Sequence, residues 1–260
     1  FRVFMKNPPL LVLSYRGADY HGWQRQNNAM TIQQLIEEAW EKACGCPCSL
    51  SGCGRTDAGV HAKYYVASTA APTTIPLDRL PMALNARLPE AVVIHRAVAV
   101  EDGFDARFSC VCKEYTYLIH NSRTRDPFLT DRAWFYPQPL DVAAMARAAQ
   151  DLVGTHDFAA VRNEGTPVKS TVRTIYYCQA EARPGGLVAI RVCADGFLYN
   201  MVRAIAGTLV YVGIGKIPAD AIPAILAGGD REAAGPTAPP CGLYMTALNY
   251  EREELDGRGD

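Results

Sequence analysis

The order in which strand-like and helix-like patterns follow one another is the feature that most limits the fold of this chain. A short apolar run at residues 10–15 is typical of a strand, and Thr31 opens a helix in which Gln34 holds the capping-box position. The other elements predicted before residue 101 are strands at 47–50, 64–69 and 91–100 and a helix at 77–88. This β-α-β-β-α-β order predicts a ferredoxin-like (RRM-like) α+β half with an antiparallel sheet.

The second half of the chain repeats this order in a looser form. Asp141 caps a predicted helix that stops at Gly154, and Pro184-Gly185-Gly186 is typical of a hairpin turn. The predicted strands cover 114–120, 132–136, 174–182, 187–194 and 243–250, and further helices cover 198–212 and 219–226. We therefore predict two ferredoxin-like halves with antiparallel sheets, residues 1–105 and 106–250, docked around a central cleft. Residues 251–260 are predicted to form an acidic, disordered tail.

Composition and charge indicate a globular protein whose positive charge is local. The chain has 260 residues, 49% of them hydrophobic, and no apolar run of the ~18 residues that cross a bilayer, so no membrane association is predicted. The formal net charge is −1, but residues 251–260 carry −3, so the rest of the chain carries +2. A local basic cluster can bind phosphates in a neutral protein, although it can equally be a solvated face. The basic clusters are Arg123, Arg125 and Arg132, and Arg162, Lys169 and Arg173.

Nine cysteines, an odd number, are scattered along the chain. A protein with this much apolar core does not need disulfides, and residues 1–9 lack the apolar core of a secretory signal, so a cytoplasmic protein with reduced thiols is predicted. Cys44, Cys46 and Cys48 have C-x-C rather than C-x-x-C spacing, and no histidine pair follows at zinc-finger spacing. We therefore predict no metal site. A cysteine-rich zinc protein is an alternative that metal analysis of the purified chain would test.

A glycine-bounded loop near residue 57 holds an arginine and a carboxylate two positions apart. Arg55 and Asp57 lie between Gly54 and Gly59. Glycine lets a loop bend sharply and lets a ligand approach the backbone, so an acid on such a loop is a candidate for chemistry. By spacing alone, an aspartate that only caps a turn is the more common outcome.

One arginine lies in a segment that is apolar on nearly every side. The predicted helix 198–212 has the composition of a buried helix, and Arg203 lies within it. Such an arginine needs an anion, because a buried unpaired charge is costly. Pairing with Asp57 would keep that carboxylate ionised at neutral pH. A structural ion pair with another acid, or a side chain that reaches solvent, remains open.

The run GRTDAGVHA at residues 54–62 closely resembles the active-site motif of the TruA-type tRNA pseudouridine synthases. Cys53, which precedes the run, departs from the small residue that is usual there. Further segments resemble this family in the same order, so the resemblance covers nearly the whole chain. They are Tyr15-Arg16-Gly17 through Gln26, Phe108 through Tyr117, Gly154 through Phe158, Phe197 through Lys216, and Thr237 through Leu243.

The resemblance implies the roles of the site residues. Asp57 is expected to be the catalytic nucleophile, Arg203 to lie against it, and Tyr115 to pack on the target uracil. Stacking a base on an aromatic ring stabilises by ~1–3 kcal/mol, which helps to hold a nucleotide that has been flipped out of its helix. We assign Arg55 to a phosphate near the target or to the space that the flipped base leaves. Addition of Asp57 to the uracil, addition to C1′ and abstraction of a ribose proton all remain open.

The resemblance also implies substrate and assembly. The substrate would be uridine at positions 38, 39 and 40 in the anticodon stem-loop of tRNA, isomerised without a cofactor, and one tRNA would contact both subunits of a homodimer. The loop at 160–174 is expected to clamp the tRNA. The alternative is a non-catalytic RNA-binding protein, which would stack bases on exposed aromatics and need no acid at position 57. Candidates for contacts to the RNA backbone are Lys63, Arg107, Arg123, Arg125, Arg162, Lys169 and Arg173.

Overall fold

The computed structural model describes residues 8–165 and 167–259. Residues 1–7, 166 and 260 lie outside the described part, and with them the start of the predicted first half, one position of the 160–174 loop and the last residue of the predicted tail. The chain divides into two compact units: unit 1 contains Phe1–Val111 and Met245–Asp260, and unit 2 contains Cys112–Tyr244. Both units combine helices with strands, which confirms the α+β class.

Unit 1 has the predicted β-α-β-β-α-β order. Its elements are β1 (Pro9–Tyr15), α1 (Ile32–Cys44), β2 (Ser51–Gly52), β3 (His61–Ser68), α2 (Leu80–Asn85) and β4 (Val92–Ala99). Thr31 caps α1 as predicted, because its side chain accepts a hydrogen bond from the Gln34 N–H. Helix α2 is shorter than predicted, since Pro81 is tolerated only in a first turn. No strand forms at 47–50; the strand of this region is β2.

Strand β1 lies between β3 and β4 and pairs antiparallel with both, while β2 pairs antiparallel with β3. Both ladders of β1 contain a register shift. Between the pairs Tyr15–Ala62 and Leu13–Tyr65, β3 has one residue more than β1. In β4 the extra residue is His95. The fully buried side chains of these strands and helices include Leu10, Leu11, Leu13, Ile32, Ile36, Trp40, Leu80 and Leu84.

The chain returns to unit 1 at its C-terminal end, which differs from the predicted boundaries at 105 and 250. Strand β10 (Leu243–Asn249) neighbours β3, and β11 (Gly257–Arg258) pairs antiparallel with β10. Residues 251–259 are therefore structured rather than a disordered tail. Leu255 is fully buried, and its carbonyl accepts a hydrogen bond from Tyr64 Oη at 2.8 Å. The acidic composition predicted disorder, but backbone pairing and this one apolar side chain hold the segment in place.

Unit 2 contains β5 (Cys112–Asn121), β6 (Trp134–Tyr136), α3 (Val142–Gln150), β7 (Gly154–Asp157), β8 (Val172–Arg183), β9 (Leu187–Ala194), α4 (Met201–Gly213) and α5 (Ile222–Gly228). Strands β5, β9, β8 and β7 are antiparallel neighbours in that order. Strand β6 pairs with β5 in parallel, which departs from the wholly antiparallel sheet predicted. Asp141 caps α3 as predicted, but the helix ends at Gln150, and Gly154 instead opens β7.

Helix α4 is buried on nearly every side, which confirms the interpretation of its apolar sequence. It begins at Met201, three residues later than predicted, because Asn200 has a left-handed backbone conformation with a φ of 56°. Within residues 8–165 and 167–259, no helix is both long enough and apolar enough to span a membrane.

Candidate active site

The Asp57 loop joins β2 to β3 in unit 1 and is tied to its surroundings through the backbone. The Cys53 N–H donates to the Val66 carbonyl at 2.9 Å, and the Val60 N–H donates to the Asp57 carbonyl at 3.1 Å. Asp57 is half-buried, whereas Arg55 is exposed. The loop therefore holds a carboxylate partly shielded from water beside a guanidinium that is open to a ligand.

The segment that follows β1 lies directly against this loop. The Trp23 N–H donates to the Thr56 carbonyl at 3.3 Å, and the Gly59 N–H donates to the Tyr20 carbonyl at 3.2 Å. These two bonds flank Asp57 in sequence. The segment from Tyr15 through Gln26, which resembles the family, therefore supports the GRTDAGVHA run at residues 54–62.

Two glycines of that segment permit the close approach. A Cβ atom at Gly22 would lie 2.2 Å from the Thr56 carbonyl oxygen, and one at Gly17 would lie 1.9 Å from the Val60 carbonyl oxygen. Gly22 also has a φ of +77°, which disfavours any other residue. The Gly17 N–H donates to Nδ1 of the buried His61 at 2.9 Å, so this end of the loop is closed by a side chain as well.

A buried cluster of three aromatic side chains packs beside the Asp57 loop and supports it. The rings of Trp23 and Tyr65 have centroids 4.4 Å apart, and those of Tyr15 and Tyr65 are 5.5 Å apart in an edge-to-face arrangement. Tyr15 Oη and Thr56 Oγ1 form a hydrogen bond of 2.8 Å. Burial raises the pKa of Tyr15 far above its ordinary value, so its hydroxyl stays neutral and keeps this bond. Thr56, the neighbour of Asp57, is thereby anchored to a rigid core.

In unit 2, Tyr115 and Tyr117 lie on β5 in different settings. Tyr115 is 8% exposed and packs edge-to-face against Phe197, with ring centroids 5.1 Å apart. Tyr117 is fully buried, and its hydroxyl donates to the Pro239 carbonyl at 2.7 Å. Tyr117 is therefore a core residue. Tyr115 lies at the margin of that core, beside a second aromatic ring.

Arg203 lies in the first turn of α4 and is half-buried. Its Nε donates to the Ala238 carbonyl at 2.7 Å and its Nη1 donates to Asn200 Oδ1 at 3.1 Å. The Ala238 N–H in turn donates to the Arg203 carbonyl at 3.0 Å. Neighbours from unit 2 thus set the direction of the guanidinium, and the left-handed Asn200 is one of them.

A second arginine, Arg231, supports this arrangement and was missed by the sequence analysis. Its Nε donates to Asn163 Oδ1 at 3.0 Å, and its Nη2 donates to Thr237 Oγ1 at 3.0 Å. Thr237 precedes Ala238, the backbone partner of Arg203. Partial burial lowers the pKa of Arg231, which nevertheless remains charged. The partner Asn163 is 68 positions away in sequence, so no local pattern could have revealed the contact.

The candidates for RNA backbone contacts differ in the exposure of their side chains and in their contacts with the rest of the protein. Arg173 Nη1 donates to the carbonyls of Ser170 and Val172, and the guanidinium carbon of Arg125 lies 4.4 Å from the Phe135 ring centroid. The predicted 160–174 loop is shorter, because a 3₁₀ helix ends at Val161 and β8 begins before residue 174. The exposed candidates are Lys63, Arg107, Arg123, Arg125 and Lys169, and the half-buried ones are Arg162 and Arg173.

All nine cysteines are present as thiols. Cys53, Cys178 and Cys193 are buried, as expected of small core residues, and the other six are half-buried. Burial raises the pKa of Cys178 to about 12, which keeps that thiol protonated and unreactive. Over the described residues, no group of three His, Cys, Asp or Glu side chains is arranged to hold a metal ion.

Comparison with known proteins assigns the family. A family model described as tRNA pseudouridine synthase matches residues 11–109 and 148–251. The chain belongs to the TruA-type tRNA pseudouridine synthase family. It is 45% identical to the tRNA pseudouridine synthase A of Thermoanaerobacter sp. (strain X514), over 93% of this chain and 98% of that protein. It is 44% identical to the tRNA pseudouridine synthase A of Ruminiclostridium cellulolyticum, over 92% of this chain and 98% of that protein.

Family membership confirms the resemblance and makes the chain an isomerase of uridine in tRNA. The matched ranges include Arg55, Asp57, Arg203 and Arg231, whereas Tyr115 lies between them. Among solved structures, a Cbf5-Nop10-Gar1 complex is similar at a TM-score of 0.35 and 15% identity, over 95% of this chain and 60% of that chain. A similarity of that size adds nothing to the family assignment.

Proposed function

We propose that this chain converts uridine to pseudouridine at positions 38, 39 and 40 in the anticodon stem-loop of tRNA, with Asp57 as the nucleophile. The observation that carries the assignment of Asp57 is its setting. It is half-buried on a loop whose neighbours are held by backbone hydrogen bonds, two obligatory glycines and a buried aromatic cluster. Such support holds a reacting group in position, whereas a turn cap would not need it.

The chemistry requires a carboxylate and no redox step. The bond between ribose C1′ and uracil N1 breaks, a bond from C1′ to C5 forms, and C5 loses its proton to solvent while N1 gains one. An ionised Asp57 can act by adding to the uracil, by adding to C1′ or by abstracting a ribose proton. In all three routes the base must first be flipped out of its stack to reach the carboxylate.

The other site residues take the roles that the family resemblance implies, and their settings support these roles. Tyr115 stacks on the flipped uracil, and its contact with Phe197 supports the ring at a defined angle. Arg203 supplies a counter-charge to Asp57, with its direction set by Ala238 and Asn200. The exposed Arg55 binds a phosphate near the target or fills the space that the flipped base leaves.

The proposal extends to architecture and assembly. In unit 1 the strand order is β4-β1-β3-β10, and β2 also pairs with β3 outside that path; strands β1 to β4 taken alone have an order that supports a ferredoxin-like half. The protein acts as a cytoplasmic homodimer without a cofactor, and one tRNA contacts both subunits. The exposed basic residues contact the RNA backbone, so binding weakens as salt increases.

Replacement of Asp57 tests the catalytic assignment. With tRNA that carries 5-tritiated uridine, the Asp57→Asn variant is expected to lose tritium release while it retains tRNA binding, because the asparagine has similar shape but no charge. The control is Asp78→Asn, which removes an exposed carboxylate elsewhere in unit 1. Tritium release by Asp57→Asn at the rate of the control would refute the role of Asp57.

Mapping of the modified uridines tests the positions. In tRNA from cells that lack this protein, pseudouridine is expected to be missing at positions 38, 39 and 40 and unchanged elsewhere. Restoration by the wild-type chain but not by Asp57→Asn would assign the loss to the catalytic activity. Loss at other positions would contradict the proposed substrate site while leaving the reaction type intact.

A further inference from the structure

A cavity of about 520 Å³ opens on unit 1, and its lining includes Lys63, one of the candidates for RNA backbone contacts. Its lining includes two basic side chains, Arg16 and Lys63, together with Ser14 and His95. Both basic residues are exposed, and Arg16 also lies 3.9 Å from the exposed Asp19 carboxylate in an ion pair that solvent reaches. The Ser14 hydroxyl and His95 Nε2 form a hydrogen bond of 2.7 Å across the cavity wall.

The two β-bulges of the layer bring these residues together. Lys63 lies within the bulge of β3, and His95 is the extra residue of the bulge in β4. Strand β1 lies between β3 and β4 and ends at Tyr15, which has Ser14 and Arg16 as its neighbours in sequence. A bulge redirects side chains that regular alternation would send to the other face, and bulges are common beside functional sites. Residues of both bulges line this one cavity, from the two neighbours of one strand, and this placement supports a ligand site there.

We infer that this cavity binds a phosphodiester group of the RNA backbone, as a subsite for the tRNA substrate. The inference rests on the proposed function, from which it takes the ligand. A guanidinium, an ammonium and hydroxyl or imidazole donors around one concave surface are groups that bind phosphate. Glu90 also lines the cavity and opposes the two positive charges, so it limits the affinity.

The position of the cavity relative to the Asp57 loop fits a strand of RNA that runs past the active site. Gly17, which follows Arg16, is the glycine that contacts Val60 of the loop. Lys63 is six residues beyond Asp57, a stretch that spans at most ~21 Å when fully extended. A phosphate held here would therefore belong to a nucleotide close to the flipped uridine.

The salt dependence of tRNA binding tests the subsite. The full chain carrying Asp57→Asn binds without turnover, so affinity can be measured separately from catalysis. In this background the double variant Arg16→Ala/Lys63→Ala is expected to bind an unmodified tRNA transcript several-fold more weakly. The slope of log K against log salt should become shallower by about 1, because one phosphate contact is lost. Glu90→Gln is expected to strengthen binding.

The matched control is Lys42→Ala/Arg79→Ala, which removes the same charge from exposed positions of unit 1 outside the cavity. Thermal unfolding of each variant shows whether it folds. An unchanged slope in the cavity variant, or an equal change in the control, would overturn the inference. Inorganic phosphate is the second probe. Its saturable binding, lost in the cavity variant while tRNA affinity stays unchanged, would assign a free-anion site instead.

These outcomes are distinguishable from failure of the proposed function. If wild-type protein releases tritium but the cavity variant binds tRNA like the control, the subsite is wrong and the function stands. If the wild-type protein releases no tritium from tRNA, the function is wrong, and the salt slope still reports on the cavity.

Discussion

At the scale of single residues, the Asp57 loop depends on glycines that lie outside it. Gly17 and Gly22 belong to the segment after β1, yet each places its Cα hydrogen where a side chain would collide with the backbone of the loop. Thr56 and Tyr15 add one buried hydrogen bond. The position of the carboxylate is thus determined by contacts with residues more than thirty positions away in sequence.

Replacement of Gly22 by alanine is expected to damage both folding and turnover. The Cβ atom would lie 2.2 Å from the Thr56 carbonyl oxygen, and the left-handed φ adds strain. Together these effects should lower the free energy of unfolding by more than about 2 kcal/mol. Gly45→Ala is the control, because Gly45 has a φ of +74° but nothing within 4 Å of an added Cβ. It should cost only about 1 kcal/mol and leave turnover unchanged.

Urea denaturation and single-turnover tritium release measure the two effects. If Gly22→Ala and Gly45→Ala lose equal stability and equal activity, close packing against Thr56 is not what positions the loop.

At the scale of elements, the start of α4 and the segment at 231–238 together set the position of Arg203 in unit 2. Arg203 lies in the first turn of α4, and the left-handed Asn200 before it accepts one of its hydrogen bonds. The segment at 231–238 contributes Arg231, Thr237 and the Ala238 carbonyl. Arg231 acts on the site through Thr237 and Ala238, so we describe it as a positioning residue.

Replacement of Arg231 by lysine is expected to lower kcat and stability together. A lysine cannot make the separate bonds to Asn163 and Thr237, so about 1–3 kcal/mol of unfolding free energy should be lost. Arg183→Lys, which alters an ion pair with Glu181 at the surface, is the control and should cost less than about 1 kcal/mol.

A double-mutant cycle separates positioning from plain structural support. If Arg231 acts through Arg203, adding Arg231→Lys to Arg203→Ala should lower kcat little further. Fully multiplicative effects on kcat would show that the two arginines act independently.

At the scale of the whole molecule, residues 8–111 and 245–259 belong to the same unit. Strand β10 from Met245 onward and the segment after it complete unit 1, and Arg252 forms an ion pair of 2.6 Å between this segment and Glu101. Hydrogen bonding of Arg252 lowers the pKa of Glu101. The acidic C-terminal residues are therefore part of the folded unit that carries Asp57.

Replacement of Leu255 by alanine tests this arrangement. The side chain is fully buried, so its loss should lower the free energy of unfolding by about 2–5 kcal/mol. Glu253→Ala alters an exposed neighbour and should change it by less than about 0.5 kcal/mol. Equal, negligible effects in urea denaturation would support the disordered tail that composition predicted.

Local signals in the sequence predicted local structure well. Thr31 and Asp141 cap the helices that they were expected to cap, and the hairpin across 184–186 forms as predicted. These features depend on side chains that interact within a few positions. Predictions failed where a boundary depends on distant partners, as at the strand expected at 47–50 and at the parallel strand β6.

By itself, the sequence determined the α+β class, the order of elements in unit 1, the family and the candidate residues Asp57, Arg203 and Tyr115, because periodicity and motifs are written in adjacent residues. Only the tertiary structure decided that residues 245–259 return to unit 1, that Arg231 bonds to Thr237 next to the Ala238 partner of Arg203, and that Lys63 and His95 line one cavity. Those features arise from hydrogen bonds and packing between residues that are far apart along the chain. Such long-range contacts produce no local pattern in the sequence from which they could be predicted.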